Sequence, residues 1–188
     1  MTFIKLFTKL TSGLVFFVLL ITSSAYSQSS PLAVKGEQEA FGNLKVVSQY
    51  GHVVFADQPD KATVGMLKDQ GINMVVSIRG LNEKVGFDER KAVEEQGISF
   101  VQIPYMKGRG IDNDGLDEIM SIVNAAGKSG TKIMLHCTHS QRAGSLLGTA
   151  LYRDYGYSKE DANKIAIEAG LTSEFLTKIH NENLDTLK

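Results

Sequence analysis

Apolar residues fall into short unbroken runs, and the stretches between them carry helical spacing. Ile72-Asn73-Met74-Val75-Val76-Ser77-Ile78, Ile98 to Ile103 and Lys132-Ile133-Met134-Leu135 are strand-length runs suited to a sheet covered on both faces. Leu44-Lys45-Val46-Val47-Ser48 and His52-Val53-Val54-Phe55 predict two more strands, joined at Tyr50-Gly51. Asp57-Gln58-Pro59-Asp60 opens a helix bearing Val64, Met66 and Leu67, which Gly71 ends. A second helix is expected from about Glu83 to Gln96, closed by Gly97, although Gly86 weakens its start. Pro104 ends the strand that follows, and Leu116, Ile119, Met120 and Val123 mark a helix through Ala126. Three helical segments close the chain: Ala143–Tyr155, Lys159–Ala169 behind Ser158, and Ser173–Asn183 behind Thr172. Ser158 with Asp161 resembles a capping box, and Thr172 is the expected cap of the last helix. Alternating strands and helices predict an α/β fold, a single domain with a mainly parallel central sheet flanked by helices. In such sheets, sites form where strand C-termini meet helix N-termini.

The first residues have a different pattern. Lys5 and Lys9 precede an apolar run from Gly13 to Ile21, and Ala25-Tyr26-Ser27 then offers a small-x-small cut site. Residues 1–27 are therefore expected to be a signal peptide cut after Ser27, sending the chain to a periplasm or outside the cell. The run is short for a bilayer, so no membrane attachment is expected after cleavage; an uncleaved anchor is the alternative. Residues 28–40 are polar and aperiodic and read as a flexible mature N-terminus, with 41–188 as the folded domain. About 160 residues suffice for one core. The net charge of −1 and the lack of a basic run in the mature part argue against nucleic acid and anionic membranes as partners.

The chemistry concentrates in His136-Cys137-Thr138-His139-Ser140-Gln141-Arg142-Ala143-Gly144, between a predicted strand and a predicted helix. Cys137 is the only cysteine, so the chain has no internal disulfide. A lone thiol in an oxidising compartment is a liability, which favours a chemical role over the alternative of an inert buried cysteine. Backbone N–H groups from the loop and the helix N-terminus, with the Arg142 guanidinium, form an oxyanion cradle that favours a thiolate. Arg142 opposes the helix dipole, which gives a functional reason for it added weight. Thr138, His139, Ser140, Gln141, Ala143 and Gly144 are the expected substrate-binding residues around the catalytic pair. His136 and His139 lack a convincing set of further ligands, so neither a metal nor another cofactor is implied.

At these residues the chain resembles the cysteine-dependent phosphatases, whose signature is histidine, cysteine, five residues and arginine. It is similar in particular to a bacterial phosphatase-like family first described as a domain of unknown function and linked to beta-lactamase-hydrolase-like proteins. The likeness extends over Phe55-Ala56-Asp57-Gln58-Pro59, Gly71-Ile72, Val76-Ser77-Ile78-Arg79, Gly97-Ile98, Ile103-Pro104 and the loop. It implies a dual-specificity or tyrosine-phosphatase-like fold, with Cys137 as nucleophile, Arg142 as anion binder and His136 supporting the loop; a satisfied core histidine is the alternative for His136. The chain departs from the signature at three points. Only Thr138 to Gln141 separate Cys137 from Arg142, a six-residue loop also found in rhodaneses; no glycine lies inside it; and Ala143 stands where phosphatases place a hydroxyl that helps the thiolate leave. Ser145 is a displaced substitute.

A phosphatase also needs a general acid. Gly110-Ile111-Asp112-Asn113-Asp114-Gly115 is a glycine-rich candidate for a mobile acid loop, with Asp112 the first choice and Asp114 the second; either can instead cap the next helix. Arg79, at a strand end, either enlarges the anion site or pairs with Glu83. The leading expectation is a hydrolase of phosphomonoesters. Its rivals are a sulfurtransferase carrying a Cys137 persulfide and a non-catalytic or redox-responsive binding module. The partner in the first two is a phosphorylated or sulfur-containing anion.

Overall fold

The computed structural model describes Leu32 and residues 34–187. The expected signal peptide, its cut site and residues 28–31 and 33 of the segment expected to be loose lie outside these residues. Among the described residues eight strands are present: β1 (Lys35–Gly36), β2 (Val47–Tyr50), β3 (Val53–Ala56), β4 (Met74–Ser77), β5 (Ser99–Gln102), β6 (Met106–Lys107), β7 (Gly110–Ile111) and β8 (Ile133–His136). Six helices accompany them in the same residues: α1 (Lys61–Val64), α2 (Glu89–Glu94), α3 (Asn113–Ser129), α4 (Gln141–Tyr155), α5 (Lys159–Glu168) and α6 (Glu174–Thr186). The main sheet has the order β1-β2-β3-β8-β4-β5. Its β3, β8, β4 and β5 run parallel, whereas β1 and β2 add an antiparallel edge. This is the expected mainly parallel α/β domain.

Side chains alternate across each strand, so the central strands feed two cores. Val53, Phe55, Val76, Ile133 and Leu135 face α3 and α4, meeting Leu116, Ile119, Val123, Leu146 and Leu147. Val54, Val75 and Met134 face the other way, against Val64, Leu67, Ala92 and Val93. Both faces being covered explains why these strands read as unbroken apolar runs. The same alternation sends His136 to the α2 side and Cys137 to the α4 side.

Several elements differ from the sequence pattern. The helix expected from Glu83 begins only at Glu89, where Asp88 caps it by accepting from Lys91 N–H. Gly86 lies at φ 80°, outside helical geometry, so residues before Asp88 form a loop and Glu83 can turn towards the sheet edge. The first helix is a single turn, Lys61–Val64, with turns continuing to Gly71. Lys35–Gly36 pairs with β2 where a loose segment was expected. The segment expected to be a mobile loop is regular instead: Gly110–Ile111 pairs with β6 and Asn113 to Gly115 begin α3. Ser158 caps α5 as expected, but Ser173 rather than Thr172 caps α6.

Helices α4 and α5 pack closely because α4 presents glycines to α5. A Cβ on Gly144 would lie 2.6 Å from the Ala166 carbonyl oxygen and 2.9 Å from Leu171 N. That approach fixes the first turn of α4, the turn that follows Cys137.

Candidate active site

Cys137 follows the last residue of β8 directly and is 1% exposed. Only three residues separate it from the start of α4 at Gln141, so the turn is tight. Ser140 closes it at φ 60°, the left-handed region, and is the only non-glycine residue there among the described residues. Such a conformation costs an L-residue about 1–2 kcal/mol. The Ser140 hydroxyl donates to the Ala169 carbonyl at 2.9 Å and so helps to hold the turn. The first N–H groups of α4 have no helical partner, and its positive dipole end lies at the same place.

A cavity of about 360 Å³ opens above this turn. Cys137, Thr138, His139, Gln141 and Arg142 line it, with Glu83 on one wall and Ser173, Phe175 and Leu176 of the α6 start on another. The Gln141 carboxamide fastens the loop to that start: Oε1 accepts from Thr172 and Ser173 N–H, each at 2.8 Å, and Nε2 donates to Thr172 Oγ1. Phe175 is 60% exposed, an apolar surface at the cavity mouth.

Arg142 is held by a carboxylate. Its NH1 and NH2 groups donate to Glu83 Oε1 and Oε2, and NH2 also donates to Thr138 Oγ1 at 3.1 Å. The Thr138 hydroxyl in turn donates to Glu83 Oε2 at 3.2 Å. Arg142's hydrogen bonds pull the Glu83 carboxyl down to about 2, against a smaller opposing effect of burial. Those bonds also raise the Arg142 guanidinium; burial opposes the rise and the nearby Cys137 sulfur adds to it. The cation is therefore permanent.

Beneath the loop is a buried polar cluster on the α2 side. Glu89, 4% exposed, receives NH2 of Arg79 at 2.7 Å and Nε2 of Gln58, and lies 3.2 Å from His136 Nε2. Burial alone would push the Glu89 carboxyl up, but His136, Gln58 and Arg79 together hold it below its ordinary value. His136 Nδ1 is 3.4 Å from the Cys137 carbonyl oxygen. Arg79 does pair, but with the Glu89 carboxylate; it reaches Glu83 only through the Glu83 carbonyl, at 2.9 Å.

Of the residues expected to bind substrate, Thr138, His139 and Gln141 line the cavity with Cys137 and Arg142, whereas Ser140, Ala143 and Gly144 do not. Ser140 turns its hydroxyl to Ala169, Ala143 is buried in the core, and Gly144 N–H is spent on the Ser140 carbonyl. Ser145 bonds to Tyr105 and His180, so its hydroxyl is already engaged in the core. Asp112 occupies the N-cap position of α3 without making a side-chain cap bond, and neither it nor Asp114 is among the cavity-lining residues. β7, immediately before Asp112, packs against α6. Glu83, Glu89, Gln58 and Phe175 join the site without a sequence signal. Each reaches the loop from a distant part of the sequence, and no local spacing announces them.

No family model and no curated protein matches the chain. Solved structures do. Kinase-associated phosphatase, with its catalytic-site cysteine replaced by serine, superposes with a TM-score of 0.63 and 16% identity, over 80% of this chain and 98% of that one. The DUF442 protein of Shewanella putrefaciens CN-32 gives 0.62 and 16%, over 81% and 97%. P. aeruginosa TpbA gives 0.60 and 15%, over 76% and 84%, and is also solved with phosphotyrosine in a cysteine-to-serine form. The chain therefore has the fold of the tyrosine and dual-specificity phosphatases, a mixed α/β domain with a mostly parallel sheet flanked by helices.

Proposed function

We propose that the protein is a cysteine-dependent phosphatase acting on phosphomonoesters. The observation that carries this reading is the convergence of Cys137, Arg142 and the N-terminus of α4 on one cavity. The Cys137 thiolate attacks phosphorus, forming an S–P bond as the P–O bond to the leaving group breaks. Loop N–H groups and the Arg142 fork stabilise the charge on the non-bridging oxygens. Asp112 protonates the leaving oxygen; the packing of β7 against α6, whose first turn lines the cavity, supports its candidacy. Water then attacks phosphorus, releasing inorganic phosphate and restoring the thiolate. The phosphotyrosine bound to TpbA supports a phosphorylated, anionic substrate. The signal-peptide pattern of residues 1–27 supports action outside the cytoplasm.

The test is hydrolysis of p-nitrophenyl phosphate by reduced protein. Cys137→Ser is expected to abolish turnover while keeping affinity for inorganic phosphate, and turnover surviving that substitution overturns the reading.

The spacing of four residues between Cys137 and Arg142 favours one second reading, a sulfurtransferase. There the outer sulfur of thiosulfate passes to Cys137, sulfite leaves, and cyanide removes the persulfide sulfur as thiocyanate. Absence of thiocyanate with Cys137 reduced excludes it.

A further inference from the structure

The catalytic loop is gripped from below by a single carboxylate. Glu89 reaches three partners, and each controls a different part of the loop. His136, 3.2 Å away, immediately precedes Cys137. Gln58 donates its side chain to Glu89 Oε1, and its backbone N–H to the Thr138 carbonyl at 3.3 Å. Arg79 binds Glu89 Oε2 at 2.7 Å and the Glu83 carbonyl at 2.9 Å, and the Glu83 carboxylate holds both terminal nitrogens of Arg142. Both the nucleophile and the anion-binding arginine therefore trace back to one side chain on α2.

Arg79, Glu89 and His136 are 2%, 4% and 0% exposed. A well-packed apolar pair would serve stability at least as well as a buried ion pair, which makes geometry the stronger reason for these charges. We infer that Glu89 is a positioning residue that sets the relation of Cys137 to Arg142. This rests on the phosphatase reading for the reaction it serves. Misplaced by a fraction of an ångström, Arg142 still meets a ground-state phosphate but loses contact with the transition state.

The experiment compares wild type, the double variant Arg79→Met with Glu89→Leu, and Gln58→Leu. Thermal unfolding, steady-state p-nitrophenyl phosphate kinetics and inorganic phosphate affinity are measured on each. The double variant, which leaves buried His136 and Gln58 without their carboxylate, is expected to fold with an unfolding temperature somewhat below wild type, while kcat falls at least tenfold and KM stays within threefold. Gln58→Leu, which leaves the ion pair intact, is expected to lose kcat to a smaller extent. A double variant that does not fold, or that folds with wild-type kcat, overturns the inference and leaves the phosphatase reading standing. Wild-type protein that neither hydrolyses the ester nor binds phosphate removes both.

Discussion

Glu83 and Arg142 form a two-pronged ion pair on the wall of the cavity above Cys137, NH1 to Oε1 and NH2 to Oε2. The guanidinium fork that would hold two oxygens of a phosphoryl group already holds two oxygens of a carboxylate. With its carboxyl at about 2, Glu83 remains ionised at neutral pH and is no general acid. It is instead a resident anion that an incoming one must share with or displace. Glu83→Gln keeps an acceptor for Arg142 and removes the charge. Inorganic phosphate, titrated calorimetrically at low salt, is expected to bind severalfold more tightly to this variant, about 1 kcal/mol for a partly exposed pair. The gain should shrink as salt is raised. Unchanged or weaker binding would show that Glu83 places the arginine without competing for it.

Ala143 bears on the second half of the proposed reaction. It is fully buried, and the nearest hydroxyl along the helix, Ser145, is already bonded to Tyr105 at 3.1 Å and His180 at 3.1 Å. Release of the thiolate from a phospho-enzyme then lacks the hydroxyl that the resemblance implies at position 143. Rapid mixing with p-nitrophenyl phosphate is expected to give a burst of nitrophenolate approaching one per Cys137, followed by slower turnover. In Ala143→Ser the burst should shrink and steady-state turnover rise. A wild-type time course linear from the start would place the slow step at or before formation of the S–P bond.

What the sequence made legible follows from how local each signal is. The buried runs at Val75-Val76 and Ile133-Met134-Leu135 became strands because burial on both faces leaves a pattern within a few residues. Cys137 and Arg142 share one turn, so their spacing could be read directly. Glu83 could not be placed on Arg142, because that contact joins residues 59 positions apart. It also depends on a helix starting at Glu89 and not at Glu83. Gly86 carried the only local hint. Gln141 illustrates a second limit: it lines the cavity as expected, but the bonds of its carboxamide to the start of α6 join residues about 30 positions apart and leave no local signal.

Gly144 tests how far the loop depends on helix packing. A methyl group there would meet the Ala166 carbonyl oxygen at 2.6 Å and Leu171 N at 2.9 Å. Both are backbone atoms and cannot rotate away, so α4 and α5 would have to separate. Gly144→Ala is expected to destabilise the fold by about 1–3 kcal/mol despite alanine's higher helix propensity. Urea unfolding measures this, and a neutral or stabilising result would mean that α5 gives way freely. Because the same turn carries Arg142, phosphate affinity should fall in the folded fraction too.

His180 predicts the acid limit of stability. It is fully buried on α6, and its Nδ1 lies 3.1 Å from Ser145 Oγ and 3.2 Å from Thr149 Oγ1, both of which bond to Tyr105 OH. Burial, helped by the charge of Lys159, pushes its imidazole down to about 4 from 6.5. The unfolded chain therefore binds a proton as pH falls through 6.5, while the folded chain resists until about 4. Within that window the unfolded state holds more protons, so stability falls with falling pH and its contribution levels off below 4. The full loss is on the order of 3 kcal/mol for a shift of this size. Urea unfolding at steps between pH 7 and pH 4 should show this decline in wild type and a flatter profile in His180→Gln. Equal slopes in the two proteins would assign the acid sensitivity to the carboxylates, and the Tyr105–Ser145–Thr149 cluster would then tolerate a charged imidazole.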